Sequence, residues 1–179
     1  LDRHYVQPVC TPTRTALMTG RCPGRFGPHA LVPTNLRAFP KDTLTLASAL
    51  KALGYRTHLS GKWHLGSRPE WIPNYFGFDT SYGTLTGAAD PWTHKYRKGS
   101  AFEDTWHRDG KQLQEEGNAT ELVAAEARKR ITQGGEAPWF VYVPFHAVHT
   151  PVDAPAEYKT WYEGVRFHED PVLHESRLR

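Results

Sequence analysis

Two short stretches and one isolated histidine put reactive or cationic side chains at spacings that chemistry can use. The first stretch is Cys10-Thr11-Pro12-Thr13-Arg14, running on to Thr19-Gly20. Pro12 suits the first turn of a helix, where its missing N–H is no loss and its φ is already helical. A helix over 13–19 follows, with Gly20 as a left-handed stop. Cys10 then sits just before a helix N-terminus, where unpaired amides and the dipole favour an anion. Arg14, about one turn on, brings a guanidinium fork that matches the oxygens of phosphate or sulfate. The same residues also fit a buried thiol beside a surface arginine, or an unmodified thiolate nucleophile aided by the helix end.

The second stretch is Gly61-Lys62-Trp63-His64-Leu65-Gly66. Lys62 and His64 are two residues apart, so on an extended backbone they point to one side. Together they make an anion clamp with a proton donor. Taken singly, each also reads as a solvated lysine and a structural histidine. His149, in Phe145-His146-Ala147-Val148-His149-Thr150-Pro151, follows an apolar run and is a third candidate; His146 reads equally as a supporting or a packed residue.

These side chains need a scaffold, and the pattern supplies one. Leu46, Leu50 and Leu53 recur at helical spacing over 43–53, between Asp42 or Thr43 and the stop at Gly54. A strand over 55–59 leads to the Lys62 segment. A helix over 120–132, N-capped by Thr120, carries Leu122, Val123, Ala127 and Ile131. Trp139-Phe140-Val141-Tyr142-Val143 then reads as a strand buried on both faces. Helices alternating with strands predict an α/β layer fold with a largely parallel sheet flanked by helices. Ligands in such sheets gather beyond the carboxyl ends of the strands, which is where His149 falls. The stretch 66–117 reads as long surface loops, in which Trp92, His94, Lys95 and Tyr96 either line a sugar or aryl pocket or pack as loop residues.

The cysteine stretch and the segment Gly54-Tyr55-Arg56-Thr57-His58-Leu59-Ser60-Gly61-Lys62-Trp63-His64-Leu65-Gly66 resemble the two signatures of the type I sulfatases. Tyr5-Val6-Gln7-Pro8 and Gly77-Phe78-Asp79-Thr80 resemble the arylsulfatase B branch in particular, although Tyr75-Phe76 stand where that branch has a basic residue. The resemblance implies an alkaline-phosphatase-like core and a sulfuric ester hydrolase. It implies that Cys10 is converted to formylglycine by a formylglycine-generating enzyme, and that the hydrated aldehyde attacks sulfur. It gives Arg14 the task of fixing that nucleophile, and Lys62 that of holding sulfate and the leaving oxygen. His64 would steady the hydrate, while His149 binds substrate and protonates the departing alcohol. It also implies one divalent cation, usually Ca2+, which Cys10 in its converted form would touch. The remaining acidic ligands would come from pairs that this sequence lacks, so residues 1–179 are expected to be a partial N-terminal catalytic domain, truncated at both ends and inactive alone. Expected substrates are sulfate esters, including those of glycosaminoglycan sugars, and the expected setting is lysosomal or secreted. Asn118-Ala119-Thr120 is a glycosylation acceptor consistent with that setting, or an ordinary helix cap. Two alternatives stay open: a phosphomonoester or phosphodiester hydrolase of the same superfamily, and an inactive remnant that binds sulfated glycans.

Composition narrows the rest. With 39% hydrophobic residues in 179 and a mean hydropathy of −0.62, the chain is long and apolar enough for one folded core. A net charge of +3 with dispersed basic residues gives no nucleic-acid face, and no apolar run approaches a membrane span. Only Cys10 and Cys22 are present, too few to define a redox compartment.

Overall fold

The computed structural model describes residues 2–3, 5–98 and 101–165. The expected truncation points, and the polar tail beyond 165, lie outside the described residues. In chain order the elements are α1 (Cys10–Thr19), α2 (Leu46–Ala52), β1 (Arg56–Lys62), β2 (Thr80–Thr84), β3 (Lys95–Lys98), β4 (Ala101–Asp104), β5 (Trp106–Arg108), β6 (Lys111–Gln112), α3 (Ala119–Thr132), β7 (Trp139–Tyr142) and α4 (Ala156–Thr160). One sheet runs β6-β5-β2-β1-β7, and β3 pairs with β4 in a separate ribbon. The three central strands, β2, β1 and β7, are parallel, while β5 and β6 are short antiparallel additions.

β1 lies at the middle of that parallel trio and is buried at every residue after Arg56. Leu59 joins one core with Met18, Phe39, Trp63, Phe76 and Phe78, beneath α1 and α2. The opposite face is covered by α3, whose Val123 is fully buried against Tyr82 and Trp106, and whose Val123 carbonyl accepts the Ser60 hydroxyl at 2.8 Å. A strand covered on both sides is what parallel sheets require.

Several expectations shift. The helix of the cysteine stretch starts at Cys10 itself, with Gly20 capping it in the left-handed region at φ 65°. α2 begins at Leu46, because Thr45 and Ser48 form a reciprocal capping box there. The strand extends beyond Leu59 to Lys62. The stretch 66–117 is not mainly surface loop: it contributes β2, next to β1 in the sheet. Thr80-Ser81-Tyr82-Gly83-Thr84 hides its role because its polar side chains are satisfied inside, as when Ser81 Oγ donates to Asn74 Oδ1 at 2.6 Å. α3 is capped by Asn118, not Thr120: the Asn118 side-chain oxygen accepts the Thr120 N–H at 3.0 Å. Asn118 is also only 3% exposed, its side-chain oxygen being taken up by the cap.

The carboxyl ends of β1 and β2 meet backbone to backbone. Gly61 and Gly83 are register partners at φ 131° and 120°. A Cβ on Gly83 would stand 2.3 Å from the Gly61 carbonyl oxygen, and one on Gly61 would stand 2.2 Å from that of Pro144. Gly83→Ala is therefore expected to destabilise the fold by about 2 kcal/mol or more. Urea denaturation measures this, and an unchanged midpoint would contradict the close approach.

Candidate active site

The first turn of α1 is preceded by Val9 in extended conformation, with no side-chain cap and no acidic residue beside it. Its amides are thus left for a ligand or water. Cys10 is a half-buried free thiol in that turn. One turn on, Arg14 reaches across to the end of β1, where its Nη1 donates to the Lys62 carbonyl at 2.5 Å and to the Tyr142 hydroxyl at 3.3 Å. The arginine thereby ties α1 to β1 and β7.

Lys62 is 3% exposed. Burial, and then the Arg14 guanidinium, lower its pKa from 10.5 to about 8; the Cys10 thiol acts the other way, which places it in the same electrostatic neighbourhood. Depression of this size corresponds to roughly 3 kcal/mol against the ammonium form. Among the described residues, no carboxylate pairs with Arg14 or Lys62.

His64 converges on Lys62 by a route that strand alternation does not supply. The strand has ended, and His64 sits at φ 57°, in the left-handed region. Its imidazole is pressed against Gly87, where an added Cβ would stand 2.4 Å from the ring. Gly87 in turn donates its N–H to Asn35 Oδ1 at 3.0 Å. Burial first, then the charges of Lys62 and Arg14, push the His64 pKa down to about 3, so the ring is neutral at pH 7. His146 behaves alike, at about 3 from burial and then Lys62 and Arg14, with Nε2 2.5 Å from the Thr84 hydroxyl. His149 is exposed at the rim, its Nδ1 donating to the Thr150 carbonyl at 2.7 Å, which leaves Nε2 as the free ring nitrogen.

Three buried nitrogens of this cluster have no partner: Arg14 Nε, His64 Nδ1 and His146 Nδ1. Polar atoms are rarely left so when buried. Around a lysine with no counter-charge, they describe a site that receives an acceptor-rich anion. Arg14, Lys62 and His64 are thus gathered near Cys10, with His149 at the edge. Sequence reasoning left His146 undecided and passed over Tyr142, Thr84 and Gly87. Tyr142 had one available sign, a hydroxyl at the carboxyl end of an otherwise apolar strand. Cys22 is exposed and free, away from the cluster. His94 stacks on Trp106 at 4.4 Å and is hydrogen-bonded to the Gly117 carbonyl, so it packs the loop as a buried residue.

The cation that the resemblance implies finds little here. Among the described residues, no three His, Cys, Asp or Glu side chains come together as a metal-holding group. Arg14 and Lys62 repel a cation. The described residues do not complete a calcium cage by themselves.

An α/β fold with parallel strands ending at a buried cationic pocket, next to a cysteine in the first turn of a helix, defines a class of anion-handling enzyme folds. The chain belongs to the sulfatase family, whose model matches residues 1–170. It is 35% identical over 174 residues to mouse (Mus musculus) arylsulfatase J, covering 92% of this chain and 29% of that protein. Human (Homo sapiens) N-acetylgalactosamine-6-sulfatase is 33% identical over 169 residues, with 84% of this chain and 32% of that protein covered. The crystal structure of Ps i-CgsB in complex with k-i-k-neocarrahexaose superimposes with a TM-score of 0.78 at 27% identity, over 95% of this chain and 41% of that one. The chain thus spans about a third of the length of these two relatives.

Gly87 keeps its place for want of a side chain. Gly87→Ala is expected to displace the His64 ring and weaken binding of inorganic sulfate by about tenfold or more. Isothermal titration with a urea midpoint separates this from unfolding, and unaltered sulfate affinity would contradict the contact.

Proposed function

We propose that the protein hydrolyses sulfate esters, with Arg14 and Lys62 cradling the sulfate group beside Cys10. The observation that carries this reading is the set of unpartnered buried nitrogens on Arg14, His64 and His146 around an uncompensated lysine. A sulfate ester offers three terminal oxygens and one negative charge, which suits that set.

Converted to formylglycine, position 10 would supply a geminal diol, one oxygen attacking sulfur and the other reclosing the carbonyl to release sulfate. The first turn of α1 supports such a group with uncapped amides. Arg14, fixed by the Lys62 carbonyl and Tyr142, keeps its remaining N–H groups aimed at the reacting oxygens. Lys62 holds a sulfate oxygen, and an anion bound there restores its ammonium form. Neutral His64 and His146 keep Nδ1 for hydrogen bonding to the reacting group, and both rings are fixed, by Gly87 and by Thr84. His149 acts as the imidazolium, protonated on Nε2 as well as Nδ1: it gives the Nε2 proton to the departing alcohol and is left neutral with Nδ1–H still on the Thr150 carbonyl. Substrates of this kind are sulfate esters on sugars, as the names of the human relative and of the oligosaccharide bound by Ps i-CgsB support. Calcium, conversion by a formylglycine-generating enzyme and a lysosomal or secreted setting belong to this reading through the family.

Arg14→Ala and Lys62→Ala in the mature protein should each lower kcat/KM for a sulfate ester about 100-fold or more, with Cys10→Ala abolishing turnover. Retained activity in Arg14→Ala, or faster cleavage of the matching phosphate monoester, would overturn the reading. A pH profile adds a second check. Lys62 carries its charge below about pH 8 and loses it above, so kcat/KM should fall on the alkaline side from near that value. Lys62→Arg should move that limb upward; a flat profile through pH 10 in the parent would contradict the role of Lys62.

A further inference from the structure

His64 rests on a wall that another part of the chain holds in place. Residues 35–38 run antiparallel to 65–67. The Ala38 N–H donates to the Leu65 carbonyl at 3.0 Å, Arg37 bridges to Gly66, and the Ser67 N–H donates to the Asn35 carbonyl at 2.9 Å. The Ser67 hydroxyl donates to the same carbonyl at 2.6 Å. This segment is also fastened to α1. Thr11, fully buried beside Cys10, accepts the Thr34 N–H on its hydroxyl oxygen at 3.2 Å and donates that hydroxyl to the His64 carbonyl at 3.4 Å. The Asn35 side chain turns elsewhere. Its Oδ1 accepts the N–H of buried Gly87 at 3.0 Å, across 52 positions of sequence, and the His64 ring lies against Gly87.

We infer that Asn35 is a positioning residue: by holding Gly87 it fixes the surface on which the His64 imidazole lies, and so the direction of the unpartnered Nδ1 within the cationic cluster. The inference rests on the sulfate-ester reading for the task of His64, and adds a residue outside the cluster that sets its aim. Two points of chemistry separate this role from loop closure. Any residue at position 35 would offer its main-chain carbonyl to Ser67, whereas meeting the Gly87 N–H takes a short side chain ending in oxygen. Asp would supply that oxygen too, but with a negative charge beside a site that must admit an anion. The amide accepts without adding charge. His64 needs such support. It occupies the left-handed region at φ 57°, and no hydrogen bond at Nδ1 fixes the rotation of its ring. Contact with a held glycine takes the place of that bond.

Asn35→Leu keeps the shape of the side chain and removes the acceptor, so the buried Gly87 N–H is left unpaired and its loop shifts from the ring. Inorganic sulfate, titrated calorimetrically into the mature protein, should bind Asn35→Leu about fivefold more weakly at unchanged stoichiometry. A misfolded fraction would lower the stoichiometry instead. In a His64→Gln background the same substitution should weaken binding by less than about twofold, because the ring it acts through is gone. An unchanged dissociation constant in Asn35→Leu overturns the inference, and so does an equal loss in both backgrounds, which would make Asn35 a general support of the fold. If Asn35→Leu does not fold, Asn35→Ser, which shortens the side chain, is read in the same way. If the parent binds no sulfate, the sulfate-ester reading fails separately. The NMR signals of the His64 ring, identified by their loss in His64→Gln, then decide, as they do where His64→Gln alone abolishes binding. Signals moved by Asn35→Leu support the positioning role, and signals left in place overturn it.

Discussion

Two like charges, the Arg14 guanidinium and the Lys62 ammonium, are held in one buried pocket with no acidic partner among the described residues. Burial first, and then the neighbouring guanidinium, disfavour the ammonium, and the lowered pKa of Lys62 records both. The chain tolerates the pair because Arg14 is bound from the side: the Lys62 carbonyl and the Tyr142 hydroxyl take its Nη1, while Nε is buried without a hydrogen-bond partner. One hydrogen-bonded side chain thus fixes helix α1 to two strands and also sets the charge of the pocket. An anion is the natural complement, and its binding relieves the repulsion that burial creates.

Everything that surrounds this pair serves to bring it to the carboxyl ends of the parallel strands. β1 delivers Lys62, and β7 delivers Tyr142 and, after it, His146. β2 delivers Thr84, which steadies His146. The strands converge there because glycines stand where side chains would collide, at Gly61 and Gly83. The core of Trp63, Phe76 and Phe78 on one side of the sheet and Val123 with Trp106 on the other bury the strand that carries Lys62. Low polarity strengthens each charge–dipole contact around that lysine.

The parts of this arrangement that were legible in the sequence are those with a strong local signature. The apolar run of β7, the periodic face of α3 and the glycine end of α1 all carry their own pattern. The chemistry-bearing residues Cys10, Arg14, Lys62 and His64 were legible from spacing and resemblance together. What was not legible depended on distant partners. β2 has no apolar run, since the hydroxyls of Thr80, Ser81 and Thr84 are met by His58, Asn74 and His146 from other segments. The cap of α3 went to Asn118, which competes with Thr120 on nearly equal terms in sequence and wins through burial. His64 meets Lys62 through a left-handed residue, which spacing alone does not reveal. The pairing of Gly87 with that histidine is invisible until the loop is seen against the ring.

The account stands on the proposal that position 10, in the first turn of α1 beside Arg14 and Lys62, is not a thiol in the working protein. Tryptic digestion after expression in a host with competent maturation machinery releases the peptide His4–Arg14, which contains that position. Its mass spectrum should show one sulfur and two hydrogens replaced by one oxygen, the signature of an aldehyde. An intact thiol in every molecule would contradict the account at its centre.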